Sequence, residues 1–429
     1  MIWQYYLSRE EGKWDIATIL IKQNYIMKTQ PQKTERLHSL DSLRSIMMLL
    51  GLVIHSAITY GVHNYGNDWI LKDTGAMHIS NDLIVVLIHF FRMPIFFLVA
   101  GFFGSMLFYK RGSLEMMKNR ISRIVYPFIV FILLLWPVLY FSMEYTTEVL
   151  AGNKDAFAET IAHFSNPIMF IPQLTYHLWF LYYLILITVC SVLLALLVKK
   201  IPNISKMVSK VFNWVFQKPF LRIIVFASLT WFTYLITGTT IIETSFSFVP
   251  KINTFLFYFY FYIVGWILFK SKHLLNSMIR LDWASTILGV VSFLGYIVAG
   301  SSLRYEWVIL LQSLIVWLFI FGIIGLFIRY GSTYSSKMRY ISDASYWVYL
   351  VHLPLTAIIP SFLYDWDMPS TIKFLTVLIS TTTICFVTYH FLVRASFIGK
   401  FLNGRKYSNK FSSSKKERVP SVSKPILEK

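Results

Sequence analysis

Long apolar blocks are the feature of this sequence that most limits what it can fold into. Blocks such as 83–108 and 306–328 are long enough to cross a bilayer, which takes about 20 residues in a helix. Their apolar residues fill whole turns and do not keep to the one-face spacing of a soluble helix. Of the 429 residues, 56% are hydrophobic and only 14% are charged, too few for the surface of a soluble protein. The sequence therefore predicts an all-α polytopic membrane protein surrounded by the lipid bilayer.

The apolar blocks predict a bundle of about ten transmembrane helices. The predicted spans are 43–62, 83–108, 124–142, 178–198, 221–242, 252–269, 284–300, 306–328, 344–362 and 370–393. Lysine and arginine gather in the loops 109–123 and 199–218, whereas the charged residues of the loops 63–82 and 143–177 are mainly acidic. Loops rich in lysine and arginine stay in the cytoplasm. We therefore predict a multi-pass protein of the cell (cytoplasmic) membrane, with both termini in the cytoplasm.

Three regions follow from this pattern. They are a cytoplasmic N-terminal segment at 1–42, a transmembrane domain at 43–393, and a basic tail at 394–429. The tail is rich in serine, lysine and proline, a composition typical of disordered segments. Within 1–42, Asp15 and Lys22 interrupt the apolar stretch, so we expect no cleaved signal peptide there.

The charge and cysteine content exclude several classes of function. The formal net charge is +19, but the basic residues gather in loops and the tail, so they predict membrane orientation and not a nucleic-acid partner. The two cysteines, Cys190 and Cys385, both lie inside apolar blocks. Neither a disulfide framework nor a cysteine-bound metal cluster can be built from them. We therefore predict no bound metal and no bound cofactor.

The segment RSIMMLLGLVIH, from Arg44 to His55, places two ionisable side chains in the first span. At about 100° per residue the two lie within about 20° of one helix face, roughly 16 Å apart. With Asp41 on the same cytoplasmic lip, this spacing suits a long ligand held at Arg44 that presents its reactive centre to His55. Alternatively, Arg44 reaches lipid phosphates and His55 bonds a neighbouring helix.

The second span contains IHFFRMPIFFLVAGFF, in which His89 and Arg92 are three residues apart and share a helix face. Apolar neighbours on both sides keep Arg92 from reaching water, so we expect it to meet an anion inside the bundle. That anion is either a protein carboxylate, in a salt bridge without catalytic role, or a group of a substrate. Pro94 and Gly101 allow a kink and a close helix approach.

Two later segments, TYHLWFLYYL and SDASYWVYLVHLPL, combine aromatic and polar residues. In the second, Ser345, Tyr349 and His352 stand at i, i+4 and i+7 and form one polar stripe. His177 in the first segment is a further candidate for function, because ionisable residues in spans are costly. Trp179 beside it is predicted to be an interface anchor. The run KNRISRIVYP orients the third span and also makes an anion-binding rim.

Together these segments resemble one family, the integral-membrane acyltransferase family three. The resemblance lies in an arginine followed by a histidine eleven positions later within LDSLR…H, in FFRMPIFFLVAGFF, in R-x-x-R-x-x-x-P, in HLWFL and in YLVHLPL, all in the family's order. Ala100 stands where many members have serine. Family members move acyl groups from a cytoplasmic donor to glycans and other acceptors outside the cytoplasm, and these motifs are closest to the branch that modifies periplasmic glucans.

The resemblance implies an enzyme that moves a succinyl or acetyl group from acyl-CoA to a hydroxyl of an extracytoplasmic glycan or related acceptor. It implies that His55 is the catalytic base and that Arg92 binds the acyl donor or the developing charge. The residues that would bind the donor's phosphates are Arg44, Arg120 and Arg123. The residues expected to support the site are Asp41, His89, His177, Tyr349 and His352.

Two alternatives stay open at this point. In the first, His55 is itself acylated before the group passes to the acceptor. In the second, the chain is a transporter or flippase of a glycan or a lipid-linked intermediate, since polar residues in spans also mark a transport path. Many transporters have paired repeats and broken helices at the midplane. Here the ionisable residues concentrate in the first two spans, which favours the enzyme.

Overall fold

The computed structural model describes residues 37–240 and 244–404. Within these ranges the regular structure is helical without β-strands, and ten helices are long and apolar enough to cross a membrane. This confirms the predicted all-α bundle and its number of spans. The side of the membrane on which each terminus lies stays a prediction.

The helices are numbered α1 to α14 in chain order. They are α1 His38–Ala57, α2 Ile79–Arg111, α3 Ser113–Arg120, α4 Tyr126–Leu150, α5 Ala156–His163, α6 Trp179–Lys199, α7 Pro202–Phe216, α8 Pro219–Thr237, α9 Ile252–Lys270, α10 Asp282–Ala299, α11 Tyr305–Tyr330, α12 Ser336–Ile358, α13 Ser370–Thr388 and α14 Phe397–Asn403. A π-helical turn joins α3 to α4, so the third span, Ser113–Leu150, is longer than the predicted 124–142. The fifth span was predicted to reach residue 242, but its helix α8 ends at Thr237. The next residue, Gly238, takes the left-handed conformation (φ 66°) that commonly ends a helix.

We call the end at which α1 begins and α2 ends the basic end, and the other the opposite end. At the basic end, the Arg329 guanidinium donates to both carboxylate oxygens of Asp282, at 2.6 and 2.8 Å. There too, Arg123 Nη1 donates to the Leu402 carbonyl (2.9 Å) and holds α14. The prediction of disorder is therefore wrong for the first part of the tail, because Phe397–Asn403 forms a helix that packs on α12 and on the π-helical turn between α3 and α4. The rest of that tail lies outside the described residues, as does most of the segment 1–42.

Glycines bring α2 and α9 into backbone contact. A Cβ atom built at Gly101 would overlap the Tyr262 carbonyl oxygen, and one built at Gly265 would overlap the Leu98 carbonyl oxygen. Small residues allow this approach in membrane helices, where packing and not the hydrophobic effect drives association. The crossing fixes α2, and with it the height of Arg92 in the bundle. This confirms the close approach predicted at Gly101.

Helices α1 and α12 run side by side in the same direction. Ser345 Oγ donates to Met48 Sδ (3.5 Å), and two turns further along, the rings of His55 and His352 are 5.4 Å apart. Both steps are seven residues long, so the two helices are in register over this distance. The polar stripe predicted on α12 therefore faces the Arg44–His55 face of α1.

The loop 61–78 closes the opposite end of α1. The Asp82 carboxylate accepts hydrogen bonds from the backbone N–H groups of Val62 (2.6 Å) and His63 (3.2 Å). Burial and this carboxylate raise the pKa of Tyr65, so the phenol stays protonated and donates to Asp82 (3.3 Å). Trp69 is buried against His55, with ring centroids 5.4 Å apart.

A buried ion pair between Asp73 and Lys373 (2.8 Å) ties this loop to α13. We expect Lys373→Met to lower the free energy of unfolding by about 3–5 kcal/mol, because it leaves the Asp73 carboxylate buried without its counter-charge. The double variant Asp73→Leu/Lys373→Met should regain most of that loss. The thermal midpoint of the purified protein in detergent measures both. Equal midpoints for the single and double variants would contradict the prediction.

Candidate active site

Five of the predicted residues surround one cavity inside the bundle. The cavity has a volume of about 20 Å³, room for roughly one water molecule. Its polar lining consists of His55, Arg92, His177, Tyr349 and His352, and methionine and aromatic side chains complete the wall. These five come from α1, α2, α12 and the 3₁₀ turn before α6. The fold therefore gathers polar groups from four segments that are distant in the sequence.

His55 lies one turn from the end of α1, between the rings of Trp69 and His352, each 5.4 Å away. Its side chain is half-buried, and its Nδ1 atom has no hydrogen-bond partner among the described residues. Lone histidines in spans usually bond a neighbouring helix. Because this one does not, the alternative of a purely structural His55 loses its support.

His352 and His177 are held by backbone carbonyls in opposite tautomers. His352 Nδ1 lies 2.7 Å from the Tyr349 carbonyl and 3.1 Å from that of Val348. His177 Nε2 lies 2.9 Å from the Leu350 carbonyl. A carbonyl can only accept, so these ring nitrogens carry the protons. In the neutral rings, His352 Nε2 and His177 Nδ1 then carry the lone pairs, and neither has a protein partner in the described structure.

The segment that carries His177 is fixed on both sides. Tyr349 Oη donates to the His177 carbonyl (2.7 Å), and the N–H of Thr175 donates to the Phe246 carbonyl (2.7 Å). Between them Tyr176 has φ 42°, the one positive φ outside glycine among the described residues. Strain of this kind persists only where the surroundings enforce it. The fold therefore holds His177 in one position.

Arg92 crosses from α2 to α1. Its Nε donates to the Met47 carbonyl (2.9 Å), and a Cβ atom built at Gly51 would overlap its Nη2 atom. No carboxylate lies within 4 Å of the guanidinium in the part of the chain that the structure describes. Of the two partners predicted for this arginine, a protein carboxylate is thus not found there. The Arg92 guanidinium therefore lines the cavity about one helical turn from His55, on the side of the basic end.

Other predicted residues do not reach the cavity. His89 is exposed, and its Nδ1 lies 3.0 Å from the Val85 carbonyl of its own helix. Arg44 lies at the basic end, 3.7 Å from Asp41 and stacked over Phe103. It is on the same face of α1 as His55, as predicted from the spacing. His89 is not part of the cavity lining, although it lies three residues from Arg92 on α2.

Arg120 and Arg123 are also at the basic end. Arg120 Nη2 donates to the Ala100 carbonyl (3.3 Å), beside Gly104. Arg123 binds the Leu402 carbonyl, and its own carbonyl accepts from Tyr346 (2.9 Å). Arg123 therefore joins three segments of the bundle, a contact that the sequence pattern did not predict.

Three residues that shape the site were not predicted from the sequence to do so. Trp179, predicted to be an interface anchor, is buried and lines the cavity instead. Trp69 covers His55 from a loop that showed no functional pattern, and Gly51 makes room for Arg92. Of the three, only Trp179 could have been suspected from the sequence, because it lies two residues after His177 in HLWFL. Across the described ranges, no group of three histidine, cysteine or acidic residues is arranged to hold a metal ion.

Imidazoles can act as acids and bases, and a guanidinium can stabilise a negative charge. Around one cavity in a membrane bundle, these groups are typical of an intramembrane group-transfer enzyme. Comparison with known proteins gives the family: residues 37–390 match the Acyltransferase domain, and the chain belongs to that family. It is a multi-pass membrane acyltransferase.

Curated relatives with the printed name Glucans biosynthesis protein C are similar to most of this chain. Those of Salmonella schwarzengrund and Salmonella typhi are each 24% identical over 387 residues, which is 86% of this chain and 95% of the relative. That of Salmonella paratyphi B is 25% identical over 380 residues, with the same coverage. No solved structure matches the chain.

Proposed function

We propose that this protein transfers an acyl group, succinyl or acetyl, from cytoplasmic acyl-CoA to a hydroxyl of an extracytoplasmic glucan, in the cell membrane. The family supports acyl transfer, and the printed name of the relatives supports a glucan as acceptor. One observation carries the proposal. His55 without a polar partner and Arg92 without a carboxylate face the same enclosed cavity in the described structure.

In this reaction the acceptor hydroxyl attacks the thioester carbonyl. A sugar hydroxyl is a weak nucleophile until a base takes its proton, and a neutral imidazole is suited to that near neutral pH. His55 is the base in this proposal, because it lies next to the loop that closes the opposite end. The O–C bond forms, the C–S bond breaks, and the hydroxyl proton ends on the released thiol.

Arg92 is assigned to the charge that develops on the carbonyl oxygen. A cation fixed in a site that excludes water stabilises an oxyanion far more than a solvated cation does. Its Nε bond to the Met47 carbonyl fixes the guanidinium before the substrate arrives. This arrangement fits a donor that enters from the basic end, because Arg92 then meets the carbonyl before His55 does.

The donor's path in this proposal follows one face of α1. Arg44 and Met48 lie on that face below His55, and Arg44 is partly exposed at the basic end. Arginine binds phosphate groups well, so Arg44 would hold the phosphates of CoA. Arg120 would assist, because both arginines lie against the same turn of α2, Arg44 over Phe103 and Arg120 at the Ala100 carbonyl. The basic end then faces the cytoplasm and both termini lie there.

The test is mass spectrometry of cell-surface and periplasmic glycans from three strains. They carry the intact gene, a deletion, and His55→Ala protein shown to reach the membrane in equal amount. We expect a defined acyl mass to be lost in both altered strains, which would also identify the acyl group. If glycans keep their acyl groups but change in amount or location in the deletion, and His55→Ala behaves as the intact gene, a transport role replaces this proposal.

A further inference from the structure

The reaction needs a proton to travel as well as an acyl group. The acceptor hydroxyl loses a proton as the O–C bond forms, and the thiolate needs one as the C–S bond breaks. The acceptor oxygen and the leaving sulfur are separate substituents of the same carbonyl carbon. A second acid–base group beside His55 would let one imidazole serve the hydroxyl and the other serve the sulfur.

Few groups in the cavity wall can carry that proton. Arg92 keeps its proton under all ordinary conditions. Tyr349 uses its hydroxyl hydrogen to bind the His177 carbonyl (2.7 Å). Two imidazoles besides His55 remain, those of His177 and His352, and each has one ring nitrogen without a protein partner in the described structure.

His352 is the better placed of these two. Its ring is 5.4 Å from that of His55, a ring contact that the described structure does not record between His55 and His177. Its Nδ1 is held by two carbonyls of its own helix, so its lone pair is on Nε2 when the ring is neutral. The same carbonyls would stabilise the ring once Nε2 is also protonated, because they accept from the charged form.

We propose that His352 is a second catalytic acid–base residue, which receives the proton taken from the acceptor hydroxyl by His55 and gives it to the leaving thiolate. This inference rests on the proposed acyl transfer. In the balanced step, the proton moves from the hydroxyl oxygen to His55, then to His352 Nε2, and finally to sulfur. No other reactant is needed, and both rings end uncharged. Chains of histidines that relay protons are a known use of ionisable residues within membranes.

The test compares two donors whose leaving thiolates differ in their need for a proton, and each variant is compared with the unchanged protein on the same donor. One is an acyl-CoA, whose alkyl thiolate is the more basic and therefore the poorer leaving group of the two. The other is the 4-nitrophenyl thioester of the same acyl group, whose aryl thiolate leaves without being protonated. Purified protein is given either donor with a short glucose oligosaccharide, and acylated sugar is measured by mass spectrometry against a sample without protein.

The variants distinguish the two ring nitrogens of His352, the Nε2 base and the Nδ1 atom that bonds the backbone carbonyls. His352→Asn keeps an amide N–H near the position of Nδ1 and can still bond the carbonyls, but it removes the Nε2 base. His352→Gln places an amide near the position of Nε2. Thr356→Val, one turn further along α12, is the matched control, since its hydroxyl bonds the Leu353 carbonyl within the same helix (3.0 Å).

We expect His352→Asn to lose about 100-fold of the rate with acyl-CoA, as general acid–base residues commonly do, and less than about tenfold with the aryl thioester. His55→Gln should be slow with both donors, and Thr356→Val should match the unchanged protein. An equal loss with both donors in the His352 variants, at unchanged thermal midpoint, would make His352 a positioning residue and overturn the inference. Failure of the unchanged protein to acylate the sugar from either donor would instead contradict the proposed function.

Discussion

Changing Gly51 to Ala is expected to lower the rate of acyl transfer about 100-fold or more while the bundle stays folded. The added methyl group would occupy the place of Arg92 Nη2, so the guanidinium must leave its position in the cavity wall. Alanine is otherwise the better residue inside a helix, by about 1 kcal/mol. The expected loss therefore comes from the displaced cation and not from α1.

The matched control for this change is Gly295→Ala in α10. A Cβ atom at Gly295 meets nothing within 4 Å, so that variant should transfer acyl groups at the unchanged rate. Rates are measured as release of free thiol from acyl-CoA in the presence of the acceptor. Arg92→Gln should lose at least as much as Gly51→Ala, and the double variant little more than either, since both remove one interaction. A Gly51→Ala protein with full activity would show that Arg92 need not occupy this position.

Changing Gly101 to Val is expected to destabilise the whole protein by about 3 kcal/mol or more. Its side chain would meet the backbone of α9 at Tyr262, and a backbone cannot rotate away as a side chain can. Helices α2 and α9 would have to separate along their contact, with loss of the packing that holds them together. The thermal midpoint of detergent-purified protein, or its absence after expression, measures the effect.

Gly104→Ala is the graded comparison for that prediction. A Cβ atom there would meet Tyr262 Oη, the far end of a side chain, and not the backbone. We expect a clearly smaller fall in the midpoint than for Gly101→Val, because the tyrosine can shift. Equal midpoints for the two variants would show that backbone contact does not fix the α2–α9 crossing.

The sequence was sufficient to predict the helices and some faces of the site. Ten spans follow from apolar length alone, because a bilayer requires that length. The common face of Arg44 and His55, and the stripe on α12, follow from helix periodicity. Both are local properties, set by residues within three turns of each other.

What the sequence did not predict depends on contacts between distant segments. The pairing of His55 with His352 requires α1 and α12 to be parallel and in register, which no local pattern states. The role of Gly51 depends on an arginine of another helix. His89 lies three residues from Arg92 on α2, yet Arg92 lines the cavity and His89 bonds the Val85 carbonyl of its own helix. Arg123 holds α14 through the Leu402 carbonyl, a contact between segments far apart in the chain, and its assignment to the donor stays a prediction.

The closed loop 61–78 has a consequence for unwanted hydrolysis. Any acyltransferase must keep its activated donor from water, the most abundant competing nucleophile. Here Trp69 covers His55, and the ion pair of Asp73 with Lys373 holds the loop in that place. In the proposed reaction, a thioester bound next to His55 would be sheltered by Trp69 from the medium at the opposite end. The loop would then contribute, together with the histidines, to the preference for a sugar hydroxyl over water. A variant with a loosened loop should hydrolyse more donor without acylating the acceptor.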